Sequence, residues 1–287
     1  MCLYKKIFYG MVPLIVVLVC MLFMQIRHAV TVSSEEKQYI SLPIVMYHSV
    51  NKSGFSKFVI SVNEFEEDLE NIKLNSFTPI GMNDLIDYVY EGKELPENPI
   101  IITFDDGYYN NYLYAYPLLQ KYKYKAVISP IGKFADMYTK EPNKNPSYAH
   151  ASWDELKQMQ DSGLVEVQNH SYNMHTLKGR RNGTKKCERE SIHDYKMALT
   201  EDVTLMQKEI FENLGTTATT FTYPFGAISN CSRDILKSIG FKATLGCANV
   251  KNKITRDPNC LYELGRLIRI HGISSKKFFK TKILKYT

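Results

Sequence analysis

Two adjacent carboxylates, Asp105 and Asp106, follow the apolar run Pro99-Ile100-Ile101-Ile102-Thr103-Phe104 and precede Gly107. Consecutive isoleucines favour a pleated, buried element and Asp-Asp-Gly does not continue one, so the pair is expected just past the carboxyl end of an interior strand. That is where α/β folds place their chemistry. Two anionic side chains held there repel each other and lose hydration unless a cation or a proton relieves them. His170 and His175 offer further ligands for a cation. Their spacing is not that of the H-E-x-x-H helical pair, so His170 is expected to leave a strand and His175 to return from the loop or helical turn behind it. With one carboxylate they make a set that leaves coordination positions open for water and substrate. One divalent ion is expected, with Zn2+ taken first and Co2+, Ni2+, Mn2+ or Fe2+ also suited. Iron oxygenases use similar ligands, but a second carboxylate beside the set is better explained by hydrolysis, where a base must deprotonate water.

Positioning these groups requires several strands that end on one face. Leu42 to Tyr47 predicts a strand ending at His48, Leu164 to Asn169 one ending at His170, and Thr216 to Tyr223 one ending at Pro224-Phe225-Gly226. Further strands are expected at Lys125 to Ser129, Phe241 to Leu245 and Leu267 to Ile270. Helices alternate with them. Ser61 or Asn63 caps one running to about Ile72, and others are expected over Met82 to Tyr90 and Tyr108 to Tyr122. Ser152-Trp153-Asp154-Glu155 opens a capping-box helix ending at Gly163, and Asp194 to Leu214 and Ser232 to Ile239 follow. Ser274 caps a lysine-rich terminal helix. Pro130 to Ala149 reads as an exposed or lid-like loop. The basic stretch Lys178, Arg180, Arg181, Lys185, Lys186, Arg189 reads as a solvated loop or a wall of an anionic-polymer groove. Strand-then-helix order without a break inside 41–287 predicts one α/β domain, a distorted or incomplete (β/α) barrel.

Thr103-Phe104-Asp105-Asp106-Gly107 resembles the first motif of the polysaccharide deacetylase family, carbohydrate esterase family 4 or the NodB-homology domain. His170-Ser171-Tyr172-Asn173-Met174-His175 resembles its histidine motif, and Tyr223-Pro224-Phe225-Gly226 its third, with Thr222 where the family has arginine. Met46-Tyr47-His48 resembles the permuted branch, which includes the bacterial poly-N-acetylglucosamine deacetylases of biofilm synthesis. The resemblance implies a metal held by Asp106, His170 and His175, Asp105 as general base, and His48 as the acid that protonates the leaving nitrogen. His271 is the second choice for that acid. Tyr223, Phe225 and Gly226 are expected at the substrate or the oxyanion, and Asn169 and Ser171 as partners that orient the imidazoles. Arg269 or Arg266 is expected to replace the family arginine. The implied activity is removal of N-acetyl groups from an N-acetylglucosamine polymer, exopolysaccharide or peptidoglycan. An O-acetyl esterase and a non-catalytic glycan-binding protein are the alternatives.

The bulk composition sets the surroundings. A chain of 287 residues with 44% hydrophobic content can bury a sizeable core, and its formal charge of +6 suits anionic surroundings. Nucleic acid is not expected as a partner, since no paired C-x-x-C spacing or glycine-rich nucleotide loop occurs. Lys5 and Lys6 precede an uncharged stretch, 7–24, long enough to approach a bilayer span. Residues 1–29 are therefore expected to be a cytoplasmic tip and single-pass signal-anchor, 30–40 a tether, and 41–287 an extracellular catalytic domain at a bacterial cell membrane. Secretion after cleavage is the second choice. Cys231 and Cys247 are left open as a disulfide pair.

Overall fold

The strand that carries the two carboxylates is buried at every position and lies in the middle of a parallel sheet. A computed structural model describes residues 19–24, 39–177 and 181–285. The main strands, in chain order, are β1 (Ile44–Tyr47), β2 (Pro99–Asp106), β3 (Ala126–Pro130), β4 (Val165–Val167), β5 (Thr220–Thr222), β6 (Ala243–Leu245) and β7 (Leu267–Ile268). β7, β1, β2, β3 and β4 pair side by side, all parallel. β5 and β6 form their own parallel pair. Single parallel bridges, Asn169 to Phe221 and Leu245 to Leu264, join that pair to the rest at two seams. The expected distorted barrel is thus a parallel sheet that curls round and closes through bridges rather than full ladders.

Side-chain alternation sorts β2 into two faces. Ile100, Ile102 and Phe104 pack outward against Phe65 and Leu69 of α1 (Val62–Leu74) and their neighbours. Ile101 faces the interior with Ile44, Val127, Ala243, Leu245 and Leu264. Thr103 and Asp105 share the parity of Ile101, so Asp105 tops the interior column. Regular alternation would send Asp106 outward after Phe104. That residue instead adopts a left-handed backbone, φ 65, followed by Gly107 at φ 72, and this turn carries the second carboxylate out of the alternation. Such a conformation costs a residue with a Cβ about 1–3 kcal/mol.

The other helices are α2 (Met82–Tyr90), α3 (Tyr116–Tyr122), α4 (Gly132–Lys140), α5 (Trp153–Asp161), α6 (Ile192–Leu214), α7 (Ser232–Ile239) and α8 (Ser275–Phe278). Ser61 with Glu64 and Ser152 with Glu155 form the capping boxes of α1 and α5. α6 buries Tyr195, Leu199, Val203, Met206, Ile210 and Leu214, a stripe at helical spacing, and ends at left-handed Gly215.

Several expectations change. Pro130 to Ala149 is not simply a loop, because α4 occupies its first half; the helix starts without a side-chain cap, so no capping signal marks it. Ala149, at the end of that stretch, and His150, just beyond it, are buried. The expected helix Tyr108 to Tyr122 begins later, as a wider turn over Asn111–Ala115 that leads into α3. Short pairs not foreseen join Ile40–Leu42 to Asn252–Ile254 and Ser49–Asn51 to Val59–Ser61. Cys231 and Cys247 are free thiols. The expected anchor over 7–24 lies outside the described residues except for 19–24, which are helical. Among the described residues no helix is long and apolar enough to cross a membrane.

A Cβ added at Gly107 would stand 2.6 Å from Pro130 Cβ and 2.8 Å from Pro130 Cα, contacts that real Cβ atoms do not make, on a left-handed backbone. Gly107→Ala is therefore expected to lower unfolding free energy by about 1–3 kcal/mol, measured by urea denaturation. An unchanged midpoint would show that the turn is not strained.

Candidate metal centre

Asp106, His170 and His175 meet where β2 and β4 end. Asp106 Oδ1 lies 3.4 Å from His170 Nε2 and 3.1 Å from His175 Nε2, and the ligand atoms all fall within 4.8 Å of one another. That oxygen is buried and accepts no hydrogen bond among the described residues. A carboxylate oxygen and two imidazole nitrogens that converge on one point, with the oxygen otherwise unsatisfied, fit a divalent cation. Burial pushes the Asp106 carboxyl up, but the two facing imidazoles overcome this and hold it well below the usual carboxylate range. Burial disfavours charge on His170, yet Asp106 and Asp105 raise its pKa above the ordinary value.

His170 is aimed by the main chain. Its Nδ1 lies 2.7 Å from the carbonyl of Thr222, an oxygen that can only accept, so Nδ1 carries the proton and Nε2 keeps its lone pair for a cation. The expectation that Asn169 and Ser171 orient the imidazoles is corrected. Asn169 Oδ1 accepts from the Ser171 N–H at 2.9 Å, and Asn169 Nδ2 donates to Val203 O at 3.2 Å and Gln207 Oε1 at 3.3 Å. Together they shape the turn after His170, with Ser171 at φ 70. The Ser171 carbonyl then accepts from Gly132 N at 3.2 Å, and that of Tyr172 from Lys133 N at 2.9 Å, which fastens the histidine loop to the start of α4.

Asp105 has a different counter-charge. Arg266, fully buried, donates from Nη1 to Oδ1 at 2.6 Å and from Nη2 to Oδ2 at 2.8 Å, a two-pronged pair. Arg266 Nε is fixed on the Gly246 carbonyl at 2.8 Å. Burial raises the Asp105 carboxyl, but Arg266 outweighs it and His170 and His48 add to the lowering, so the group stays below its usual pKa. Arg266, just before β7, thus supplies the charge missing at Thr222. Thr222 itself bonds Ser129 Oγ at 2.8 Å through its hydroxyl. Arg269 does not serve Asp105: its Nε donates to Asp68 Oδ2 at 2.7 Å, which also accepts from Tyr47 OH at 3.0 Å.

His48 follows β1 at the same mouth. Its ring lies against Phe58 with centroids 5.0 Å apart, and its carbonyl accepts from Asn111 Nδ2 at 2.7 Å. Its Nδ1 is buried without a hydrogen-bond partner among the described residues. His271 is committed elsewhere, with Nδ1 2.7 Å from Glu64 Oε2 and its ring stacked on Phe55 at 4.9 Å. Burial alone would raise the Glu64 carboxyl, yet bonds from Ser61, His271 and Gly272 bring it down to about 2, so His271 belongs to the start of α1.

In the third motif, Phe225 is left-handed at φ 58 and 44% exposed, with its ring 4.1 Å from that of His175. It lines the mouth as expected. Gly226 is needed for its close approach to Cys247, whose Cβ would lie 2.6 Å from an added Cβ. Tyr223 is corrected: it is fully buried, its hydroxyl bonds Ser232 Oγ at 3.0 Å, and it cannot reach a substrate. His150 was not foreseen as part of the site, yet its Nδ1 lies 2.8 Å from the Asp106 carbonyl. The one hint in the sequence is its place just before the capping box at Ser152.

A family model described as polysaccharide deacetylase matches residues 92–244. The poly-beta-1,6-N-acetyl-D-glucosamine N-deacetylase of Escherichia coli K12 is 23% identical over 218 residues, 69% of this chain and 32% of that protein. The chain thus spans about a third of that relative's length. The protein of the same description from Staphylococcus aureus MRSA252 is 25% identical over 230 residues, 75% of this chain and 74% of that one. Among solved structures, a de-N-acetylase from Aggregatibacter actinomycetemcomitans superposes with a TM-score of 0.68 at 26% identity, covering 80% of this chain and 95% of that one. IcaB from Ammonifex degensii gives 0.65 at 25%, covering 80% and 91%.

Removing the guanidinium would leave a buried, unpaired carboxylate. Arg266→Met is expected to cost about 3–5 kcal/mol at pH 7, measured by chemical denaturation. In the native protein the lowered Asp105 pKa stabilises the fold above the unfolded value of about 3.9 and loses that contribution only as pH falls through the folded pKa. In the variant burial would raise that pKa, so the deficit is expected to shrink on acidification from pH 8 to pH 5. A deficit that stays constant over this range would contradict the pairing.

Proposed function

The chain belongs to the polysaccharide deacetylase family, and on that basis we propose that it is a metal-dependent hydrolase that removes N-acetyl groups from an N-acetylglucosamine polymer of the cell surface and releases acetate. The observation that carries this reading is the division of the two carboxylates: Asp106 faces His170 and His175, while Asp105 is held on Arg266. One serves as ligand and the other remains a base.

A divalent ion on Asp106, His170 and His175 would lower the pKa of water and polarise the acetyl carbonyl. Asp105, ionised because Arg266 holds its pKa down, accepts the proton of the attacking water. His48 gives a proton to the leaving sugar nitrogen, and the Asn111 bond to its carbonyl fixes its backbone. The backbone N–H of Phe225 is assigned to the developing oxyanion. Phe225 and Phe58, exposed at 44% and 40% beside His175 and His48, offer apolar faces on either side for sugar rings. The similarity to poly-beta-1,6-N-acetyl-D-glucosamine N-deacetylases supports that polymer ahead of peptidoglycan. The uncharged 7–24 stretch supports an extracellular site at the cell membrane. Thr222 in place of the family arginine would favour a binding-only protein, and the Arg266 pair on Asp105 supports the catalytic reading instead.

The purified protein is expected to release acetate from poly-N-acetylglucosamine, to stop on chelation, and to recover with Zn2+ or Co2+. Asp105→Asn and His48→Ala are each expected to lower kcat about 10²–10⁴-fold. Release from acetylxylan alone would make the protein an O-acetyl esterase. No acetate from any acetylated glycan would end the hydrolase reading.

A further inference from the structure

His150 is a buried, titratable ring that the proposed reaction does not use. It is 8% exposed and lies among aromatic side chains, stacked with Phe134 at 4.4 Å, Tyr108 at 4.7 Å and Tyr138 at 5.8 Å between ring centroids. Packing of this kind could belong to any core residue. The polar edge is more specific: Nδ1 sits 2.8 Å from the carbonyl oxygen of Asp106. A carbonyl only accepts, so His150 must present Nδ1–H there.

The position of that carbonyl gives the contact its meaning. Asp106 and Gly107 are consecutive left-handed residues, closed by a bond from Gly107 N to Asp105 O at 2.8 Å. The segment around His150 braces this turn on both sides. Tyr109 N donates to Ala149 O and Ala151 N to Gly107 O, each at 2.8 Å, with Tyr108 and His150 bridged antiparallel. The side chain of His150 fills the position between those main-chain bonds. The Asp106 carbonyl also receives a long bond from Ile131 N, at 3.5 Å. The left-handed backbone of Asp106 is strained, and were it to relax toward ordinary β backbone its carboxylate would swing away from His170 and His175.

We propose that His150 is a positioning residue for the metal ligand Asp106, its Nδ1–H holding the Asp106 carbonyl so that the turn keeps the carboxylate on the two histidines. The inference rests on the reading of Asp106, His170 and His175 as a metal site. His150 touches neither the ion nor the substrate. Its effect therefore appears in metal affinity and follows the hydrogen bond rather than the ring.

The test separates those two properties. His150→Asn keeps an N–H donor near the Nδ1 position and gives up the ring; His150→Phe keeps the ring and gives up the donor. Co2+ is titrated into the full-length metal-free protein and each variant, with affinity read from calorimetry and the visible d–d bands, and the melting temperature of each metal-free form is recorded. His150→Phe is expected to bind Co2+ about 10–100-fold more weakly, the usual loss when a partner that orients a ligand is removed. His150→Asn is expected to stay within a few-fold of the native protein while melting at a lower temperature. If the phenylalanine variant does not fold, His150→Ala against His150→Asn gives the same contrast. Equal weakening in Asn and Phe, or none in Phe, overturns the proposal and leaves the metal site standing. A native protein that binds no Co2+, or binds it as well after Asp106→Ala, removes the metal reading and this proposal with it.

Discussion

Two neighbouring carboxylates enclosed in one barrel mouth cannot share a counter-charge, and the rest of the site follows from that constraint. Like charges on adjacent residues in a low-dielectric interior would force one of them to take up a proton. The fold gives each its own solution. Asp105 keeps the parity of β2, points into the barrel and meets the fully buried Arg266. Asp106 leaves that parity through a left-handed turn and meets His170 and His175. The carboxylates diverge within one residue, and the division between ligand and base proposed for them is the same divergence.

That division is expensive in backbone terms, and much of the surrounding structure serves to maintain it. Gly107 lies against Pro130, His150 and its flanking residues stitch the turn, and α4 is bonded at its start to the loop after His170. Trp153 Nε1 and Tyr172 OH both donate to Asp136 of α4, at 2.7 and 2.9 Å. The histidine loop, α4, α5 and the aspartate turn therefore form one connected support. Strain at a functional turn persists only where its neighbours over-determine it, and these contacts supply that condition.

Much of this was legible in the sequence. The isoleucine run, the capping boxes at Ser61 and Ser152, and glycine at the ends of α6 and α7 mark elements through local chemistry, and local chemistry is what a single sequence displays. The meeting of Asp106, His170 and His175 was legible because strand-like runs lead into the Asp pair and into His170, and parallel strands end on one face. What stayed hidden depends on contacts across the fold. Arg266 and Arg269 stand three positions apart before and after β7, and only the register of that strand on β1 decides which one reaches Asp105. His150 directly follows a stretch whose prolines and polar residues suggest exposure; its burial comes from Tyr108, Phe134 and Tyr138, two of which lie on a helix without a side-chain cap. Tyr223 belongs to the third motif by position, yet its ring turns inward to Ser232, and it is the left-handed backbone at Phe225, two residues on, that breaks the alternation and brings that ring to the surface.

The central claim is that one cation is held by Asp106, His170 and His175 while Asp105 stays off it. Anomalous diffraction from crystals grown with Zn2+ tests this most directly. One strong site per chain is expected, about 2.0–2.2 Å from an Asp106 oxygen and from Nε2 of each histidine, with Asp105 still paired to Arg266. A site that takes Asp105 as a ligand in place of Asp106, or a cation bound away from both histidines, would contradict it.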